Sequence, residues 1–213
     1  MDLQAADRVL VDADVVSKLA HWDLLSRLPT LLHCSFLQMA TVPSVPHRAA
    51  RVVAGHNDKL FSTRLAAKRA LAFCEQIAPL PPPDPRILGA LQGNAHIDAG
   101  EALLLACASS KSFLLTGDKR ALDALAHAPA VEVPCKGQIL CLEQIVLMAL
   151  KVMSLPTIRT HICPHREIDK SIGAAFGSDC SAGEADVQAG LRSYIEHLRN
   201  STSGWLAPFP PLS

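Results

Sequence analysis

The sequence contains few aromatic residues, no excess of charge of either sign, and no long uninterrupted apolar run. Aromatic residues make up 4% of the 213 residues, which argues against a base-stacking platform for single strands. The formal net charge is zero, so we do not expect a broadly basic surface that binds nucleic acid. The longest apolar stretch, Ile139–Leu155, is interrupted by Glu143, Gln144 and Lys151, and we therefore expect no membrane span.

Cysteine pairs with metal-binding or redox spacing are also missing. The seven cysteines include no CxxC motif, their number is odd, and no secretory leader is visible. These features predict reduced thiols in a cytoplasmic protein. The spacing His161-x-Cys163-x-His165 invites a zinc site with Cys180 as the fourth ligand, and the alternative is an ordinary polar loop bounded by prolines.

The apolar residues that are present alternate between strand-like and helix-like patterns. Hydrophobic residues make up 49% of the chain, which is enough for a sizeable core. The predicted strands are residues 9–11, Phe36–Val42, Ser112–Thr116 and Val131–Pro134. The predicted helices are Asp14–Arg27 (stopped by Pro29), Val45–Ala54, Asp58–Ile77, Ile87–Leu91, Asp98–Ser110, Arg120–Ala126, Ile139–Met153 and Ala185–Arg199. This alternation is typical of an α/β fold with a parallel sheet that is covered on both faces.

The character of the chain changes near residue 155. Prolines, glycines and polar residues replace the dense apolar periodicity there. We therefore predict a domain at residues 8–155 and a mostly helical or irregular C-terminal extension at residues 156–213. We expect the tail from Ser201 onward to be frayed, and the sequence indicates no role for the extension.

Carboxylates stand where an α/β fold forms its ligand sites. Asp12 follows the first predicted strand and Asp14 comes two residues later, whereas Asp118 follows the third predicted strand. Asp98 and Glu101 open a predicted helix. Ligands bind beyond the carboxyl ends of parallel strands, and crowded carboxylates repel one another unless a cation lies among them. The pattern therefore favours a site for a hard divalent cation such as Mg²⁺.

Each of these acids also has a purely structural interpretation. Asp14 suits the N-cap of the first helix, and Asp118 suits the N-cap of the helix that follows it. Asp98 and Glu101 have the spacing of a capping box. We expect at least one of these acids to have a role beyond capping.

Three motifs, taken in order, resemble the PIN-domain family of metal-dependent ribonucleases. They are Val-Asp-Ala-Asp-Val around Asp12, Ile-Asp-Ala-Gly-Glu-Ala around Asp98 and Glu101, and Leu-Leu-Thr-Gly-Asp-Lys around Asp118. The second is close to the Asp-x-Gly-Glu-Ala pattern of one branch of the family. The resemblance covers roughly residues 8–155. It implies a three-layer α/β/α sandwich with a short parallel sheet, Mg²⁺ or Mn²⁺ as cofactor, and hydrolysis of RNA.

The resemblance and the positions of the charges together define a predicted site. Its residues are Asp12, Glu101 and Asp118 as catalytic metal ligands, Asp98, Asp14 and Thr116 as auxiliary groups, and Lys119 and Arg120 as contacts to the RNA backbone. The expected partner is an RNA substrate. Further candidates are a protein inhibitor or antitoxin, since single members of the family serve as toxins, and a second copy of the chain.

One departure from the family pattern leaves an alternative open. The family has another acid on the helix after the second strand, where this chain has Arg48. A catalytically degraded PIN-like module for binding or regulation is therefore the main alternative. A more distant alternative is a phosphatase of haloacid-dehalogenase type, with Asp12 as nucleophile, but its later motifs are too compressed here around Thr116 and Asp118.

Overall fold

Four short apolar runs pair as one parallel sheet in the computed structural model, which describes residues 6–127, 132–202 and 204–208. The strands are β1 (Arg8–Val11), β2 (Met39–Thr41), β3 (Ser112–Thr116) and β4 (Ile139–Cys141). Their order across the sheet is β2-β1-β3-β4. Val9 lies between Met39 and Phe113 in register, and residues Val9–Val11 are fully buried. Burial on both faces explains why β1 is continuously apolar.

Helices connect and cover these strands. They are α1 (Ala13–His21), α2 (Leu28–Leu32), α3 (Ser44–Val53), α4 (Arg64–Cys74), α5 (Pro85–Leu91), α6 (Ala99–Cys107), α7 (Lys119–Ala126), α8 (Leu142–Val152), α9 (Leu155–Ile162), α10 (Lys170–Ala175) and α11 (Glu184–Ser201). The α/β class and the parallel sheet are as predicted, and the arrangement is compatible with three layers. None of the described helices is both long and apolar enough to cross a bilayer.

The first helix is shorter than predicted. It ends at His21, and Asp23 adopts a left-handed backbone conformation with φ 56°, which aspartate tolerates better than most residues. A 3₁₀ turn, Leu25–Arg27, follows and leads into α2. Pro29 lies in the first turn of α2 and does not stop a helix, because a first-turn proline gives up no intrahelical hydrogen bond.

The second and fourth strands were predicted in partly wrong places. Residues Phe36–Gln38 form a 3₁₀ turn, closed by a hydrogen bond from the backbone N–H of Ser35 to Gln38 Oε1 of 2.9 Å. Val131 lies outside the described residues, and residues 132–134 form no strand. The fourth strand is Ile139–Cys141, which we predicted as the start of a helix. A three-residue apolar run has no periodicity that separates the two states.

The predicted helix Asp58–Ile77 is also too long. In the structure α4 begins after Thr63, whose hydroxyl oxygen accepts a hydrogen bond from the backbone N–H of Ala66. Threonine at this position satisfies a backbone donor that the helix itself leaves unpaired.

The C-terminal extension packs against the rest of the described chain. Helix α11 contacts α7 and α8. Residues beyond α11 reach the free edge of β4, where Ala207 N–H donates to the carbonyl oxygen of Ile139 at 2.8 Å. Trp205 and Leu206 are buried. The predicted fraying is therefore wrong for residues 204–208, whereas residue 203 and residues 209–213 lie outside the described part.

A disulfide joins Cys163 to Cys180 in the extension. The prediction that all thiols are reduced is wrong for this pair. The zinc interpretation is wrong as well, because Cys163 is bonded to sulfur, and His161 and His165 lie in helical turns that begin in α9. Alternating spacing places side chains on one face only in an extended segment. The bridge closes a loop with a sequence separation of 17, and this loop contains Asp169 and Ser171.

Reduction of this disulfide should destabilise the protein. A loop of this length restricts the unfolded chain, so its loss should lower the free energy of unfolding by about 3 kcal/mol. Calorimetric melting with and without dithiothreitol measures the effect as a lower Tm. The double variant Cys163→Ser/Cys180→Ser should melt at the lower temperature under both conditions. An unchanged Tm of the wild type in reductant would contradict the prediction.

Candidate functional site

The sheet topology places the ends of β1 and β3 at the point where ligand sites form in α/β folds. The chain leaves β1 towards β2 on one side, and leaves β3 towards β4 on the other. Connections that diverge in this way leave a crevice beyond the carboxyl ends of the two neighbouring strands. Asp12 follows β1. Thr116 is the last residue of β3, and Gly117 and Asp118 follow it. The predicted acids of these two strands therefore meet at this crevice.

A cleft of about 440 Å³ lies at this edge of the sheet. We call it the first cleft. Its acidic residues are Asp12, Asp14, Asp98, Glu101, Asp118 and Asp169. Its basic residues are Lys18, Arg48, Lys119, Arg120 and Lys170. The structure thus brings together all the predicted site residues except Thr116, which lies behind the cleft in a small apolar pocket with Asp12 and Glu101.

Asp12 occupies the cap position of α1 without capping it. Its backbone N–H donates to the carbonyl oxygen of Leu115 at 2.9 Å, which fixes it between β1 and β3. The side chain makes no capping hydrogen bond, and the residue is 6% exposed. Burial, with a smaller effect of the nearby Asp14 carboxylate, raises the pKa of Asp12 to about 7. A carboxylate in this position is poorly solvated and lacks a neutralising partner among the described salt bridges.

Asp14 is not the helix cap that its position suggested. It lies in the first turn of α1 and forms an ion pair of 2.6 Å with Lys18, four residues later. Gly117 makes this pair possible, because a Cβ at position 117 would overlap Asp14 Oδ2. The glycine in the Thr-Gly-Asp motif therefore has a steric role that the sequence alone did not reveal.

Asp98 and Glu101 form the capping box that their spacing predicts. Asp98 Oδ1 accepts from the backbone N–H of Glu101 at 2.8 Å, and Glu101 Oε2 accepts from that of Asp98 at 2.9 Å. This arrangement uses one oxygen of each carboxylate. Burial is the main cause that raises the pKa of Glu101 to about 8, with Asp118 and Asp12 adding to it. Asp98 and Glu101 can therefore cap α6 and also belong to the group of acids that lines the first cleft.

Asp118 has the same double role at the start of α7. Its Oδ1 accepts from the backbone N–H of Arg120 at 2.8 Å, and its Oδ2 lies 3.3 Å from the Arg120 guanidinium. The hydroxyl oxygen of Thr116 accepts from the backbone N–H of Asp118 at 3.1 Å. Thr116 thus holds the loop that carries Asp118.

The C-terminal extension contributes residues to the first cleft that the sequence did not predict. Asp169 is buried and forms an ion pair of 2.8 Å with Lys18, which thereby bridges Asp169 and Asp14. Burial opposes ionisation of Asp169, but Lys18 and hydrogen bonds from α10 outweigh it and lower its pKa. A polar residue in a segment without apolar periodicity gives no signal that would place it against α1.

A second network from the extension holds Lys119. Its ammonium lies 2.6 Å from Glu143 and 2.8 Å from the hydroxyl of Ser171. Glu143 is 1% exposed, and it accepts a hydrogen bond from Ser171 at 2.7 Å. Lys119 is therefore fixed at the wall of the first cleft, whereas the Arg120 side chain is 84% exposed and can reach a ligand.

Arg48 occupies the place where the PIN resemblance leads us to expect an acid. It lines the first cleft, and its guanidinium binds both oxygens of Asp58 at 2.7–3.0 Å. This bond lowers the pKa of Asp58. This position therefore holds a cation that is paired with Asp58 and faces the first cleft, instead of a further acid.

The donor chemistry of the first cleft fits a divalent cation, although its side chains are not arranged around one. Oxygen donors suit Mg²⁺, and the raised pKa values of Asp12 and Glu101 reflect buried carboxylates close to other acids. Among the described residues, no three His, Cys, Asp or Glu side chains are grouped closely enough to hold an ion. Side chains that now serve as caps would have to turn towards the ion.

No family model, no curated protein and no solved structure matches this chain. Its function must therefore be argued from the geometry and charge of the first cleft.

Proposed function

We propose that this chain is a metal-dependent endoribonuclease of PIN type that hydrolyses RNA phosphodiester bonds with Mg²⁺ or Mn²⁺. The observation that carries the proposal is that two buried carboxylates, Asp12 and Glu101, line one cleft, where burial raises their pKa values to about 7 and about 8. Both face a cleft that Asp98 and Asp118 also line. Keeping poorly solvated acids together destabilises a fold, and binding of a cation offsets that penalty.

In this proposal one set of residues holds the ion and another binds the RNA backbone. Asp12, Glu101 and Asp118 would hold the ion. A bound divalent cation supplies charge neutralisation at the scissile phosphate and lowers the pKa of an attacking water. Lys119, which is fixed by Glu143, and the exposed Arg120 would bind phosphate oxygens of the RNA backbone and orient the strand.

The order of the motifs supports the PIN type within this function. Asp12 directly follows β1, Asp98 and Glu101 open α6, and Asp118 follows β3. Acids from three separate elements thus reach one cavity, in the sequence that the resemblance requires. A three-layer PIN-like sandwich is part of the same proposal.

A catalytically degraded PIN-like binding module is the second candidate. It is favoured by Arg48, which is held by Asp58 and faces the cleft in place of an acid. It is also favoured by the capping bonds of Asp98, Glu101 and Asp118, which the chain needs without any metal. A module of this kind would keep the cleft and bind nucleic acid or a protein without cleaving it.

Titration of Mn²⁺ into the protein, measured by calorimetry, tests the ion-binding step. The wild type should bind, and Asp118→Asn should bind at least about tenfold more weakly, because an anionic ligand becomes neutral. Asparagine still caps α7, so the helix start should survive.

The matched control is Asp84→Asn. Asp84 caps α5 and pairs with Arg86, as Asp118 caps α7 and pairs with Arg120, but Asp84 does not line the first cleft. This variant should bind Mn²⁺ as the wild type does. Absence of binding by the wild type would contradict metal dependence and leave the binding module as the better proposal.

A further inference from the structure

A second cleft, of about 510 Å³, adjoins the first. It lies between α7, the loop before α6, and α11 of the extension, and we call it the second cleft. Its polar lining includes His96, Lys119, Arg120, His127 and His197. Lys119 and Arg120 line both clefts, so the two cavities share a wall made of basic side chains.

The lining of the second cleft differs in charge from that of the first. Asp123 is the one carboxylate that lines it, and the other ionisable groups besides Lys119 and Arg120 are histidines. Lys119 is also paired with Glu143, and Arg120 with Asp118. Imidazole N–H groups, guanidinium and ammonium all donate hydrogen bonds, and this combination suits the oxygens of a phosphate group. The three histidines, Lys119 and Arg120 outnumber the one carboxylate that lines this cleft, and an excess of donors over acceptors fits an anion.

Helix α11 builds the far wall of this cleft. Tyr194, His197 and Ser201 are spaced by three and four residues and therefore share a face. The Tyr194 ring lies under the Lys119 ammonium, with 5.1 Å between nitrogen and ring centroid, and Leu198 is buried beside it. These contacts fix α11 against α7 and direct His197 to the cleft.

A polyanion needs such an anchor at this place. The first cleft presents six carboxylates against five basic residues, so without a bound ion its acids offset the attraction of its cations for a phosphate backbone. Beyond Lys119 and Arg120, the second cleft supplies the imidazole groups of His96, His127 and His197 as hydrogen-bond donors. A strand that crosses these two residues would pass from one cavity into the other.

We propose that the second cleft binds a phosphate group of the RNA strand whose scissile bond lies in the first cleft. This inference rests on the proposed function, because it takes the phosphate to belong to the RNA substrate. It also gives the C-terminal extension a role, which is to hold that substrate. His96 and His197, from opposite walls, donate hydrogen bonds to the phosphate oxygens, and Arg120 neutralises their charge.

The test uses a short fluorescent single-stranded oligoribonucleotide and inorganic phosphate as probes, both in the presence of EDTA so that cleavage plays no part. Anisotropy measures RNA affinity for the wild type and for His96→Ala/His197→Ala. Loss of two donors to a charged group should weaken RNA binding by about tenfold or more. The control, His56→Ala/His161→Ala, removes two histidines that line neither cleft and should bind RNA as the wild type does.

The outcomes separate this inference from the proposed function. Equal RNA affinity of the wild type and His96→Ala/His197→Ala overturns the phosphate site and leaves the nuclease proposal standing. If RNA does not bind but inorganic phosphate shifts the His96 and His197 resonances in NMR spectra, the anion site stands and an RNA strand is not the source of its phosphate. If neither probe binds the wild type, the second cleft is not a phosphate site.

Discussion

Asp12→Asn is expected to abolish metal-dependent RNA cleavage while leaving the fold intact. The side chain is buried at the end of β1 and makes no capping hydrogen bond, so an isosteric amide keeps the packing. The substitution removes a carboxylate that would hold the ion in the proposed function. We expect kcat/KM to fall by about 10³-fold or more, measured with a fluorogenic RNA substrate in Mg²⁺ and in Mn²⁺.

The matched control for this variant is Asp23→Asn. Asp23 pairs with Arg69, and its left-handed backbone suits asparagine equally well. It does not line the first cleft, so its variant should cleave as the wild type does. Circular dichroism should show both variants folded. Cleavage by folded Asp12→Asn at the wild-type rate would refute the assignment of the active site.

Asp12→Asn should also stabilise the metal-free protein at alkaline pH. Burial raises the pKa of Asp12 from 3.8 to about 7. Below pH 3.8 the folded and unfolded chains both carry the proton, and Asp12 has no effect on the free energy of unfolding. Between pH 3.8 and about 7 the unfolded chain releases the proton first, so stability falls as the pH rises. Above about pH 7 the destabilisation is complete, at up to about 4 kcal/mol.

Urea unfolding in EDTA measures this difference. At about pH 8 the free energy of unfolding of Asp12→Asn should exceed that of the wild type by as much as about 4 kcal/mol, and the two should converge near pH 4. Asp23→Asn should follow the wild type throughout. Added Mg²⁺ should stabilise the wild type at pH 8 more than the variant, because only the wild type gains a bound ion. Parallel curves for the wild type and Asp12→Asn would show that the Asp12 charge is well solvated.

The sequence was informative where local pattern and tertiary structure agree. Residues Ser112–Thr116 form β3 as predicted, because polar residues delimit a run that is buried on both faces. The capping box of Asp98 and Glu101 is likewise local, since its two hydrogen bonds depend only on spacing. The clustering of Asp12 with Asp118 followed from the rule that parallel strands place their carboxyl ends together.

The sequence was uninformative where distant contacts decide. Ile139–Cys141 becomes a strand because β3 offers it an edge, with Leu114 opposite Ile139, and no local signal separates it from the helix that follows. Asp169 is held at the first cleft by its ion pair with Lys18. An ion pair between distant positions produces no periodic pattern in the sequence. Gly117 was noted as part of a motif, but the steric need for it became visible only when Asp14 and Lys18 lay across the loop.

The bond between Lys18 and Asp169 joins positions 151 residues apart. On the ribosome, Asp12, Asp14, Asp98, Glu101 and Asp118 are all synthesised before α10. Of the two acids that pair with Lys18 in the structure, a nascent chain that has not yet reached Asp169 contains only Asp14, and it lacks the Ser171 hydroxyl that Lys119 contacts. The first cleft therefore gains its last acid, Asp169, and the hydroxyl of Ser171 only after its other five acids have been synthesised. Its final electrostatic environment can form only when α10 is present.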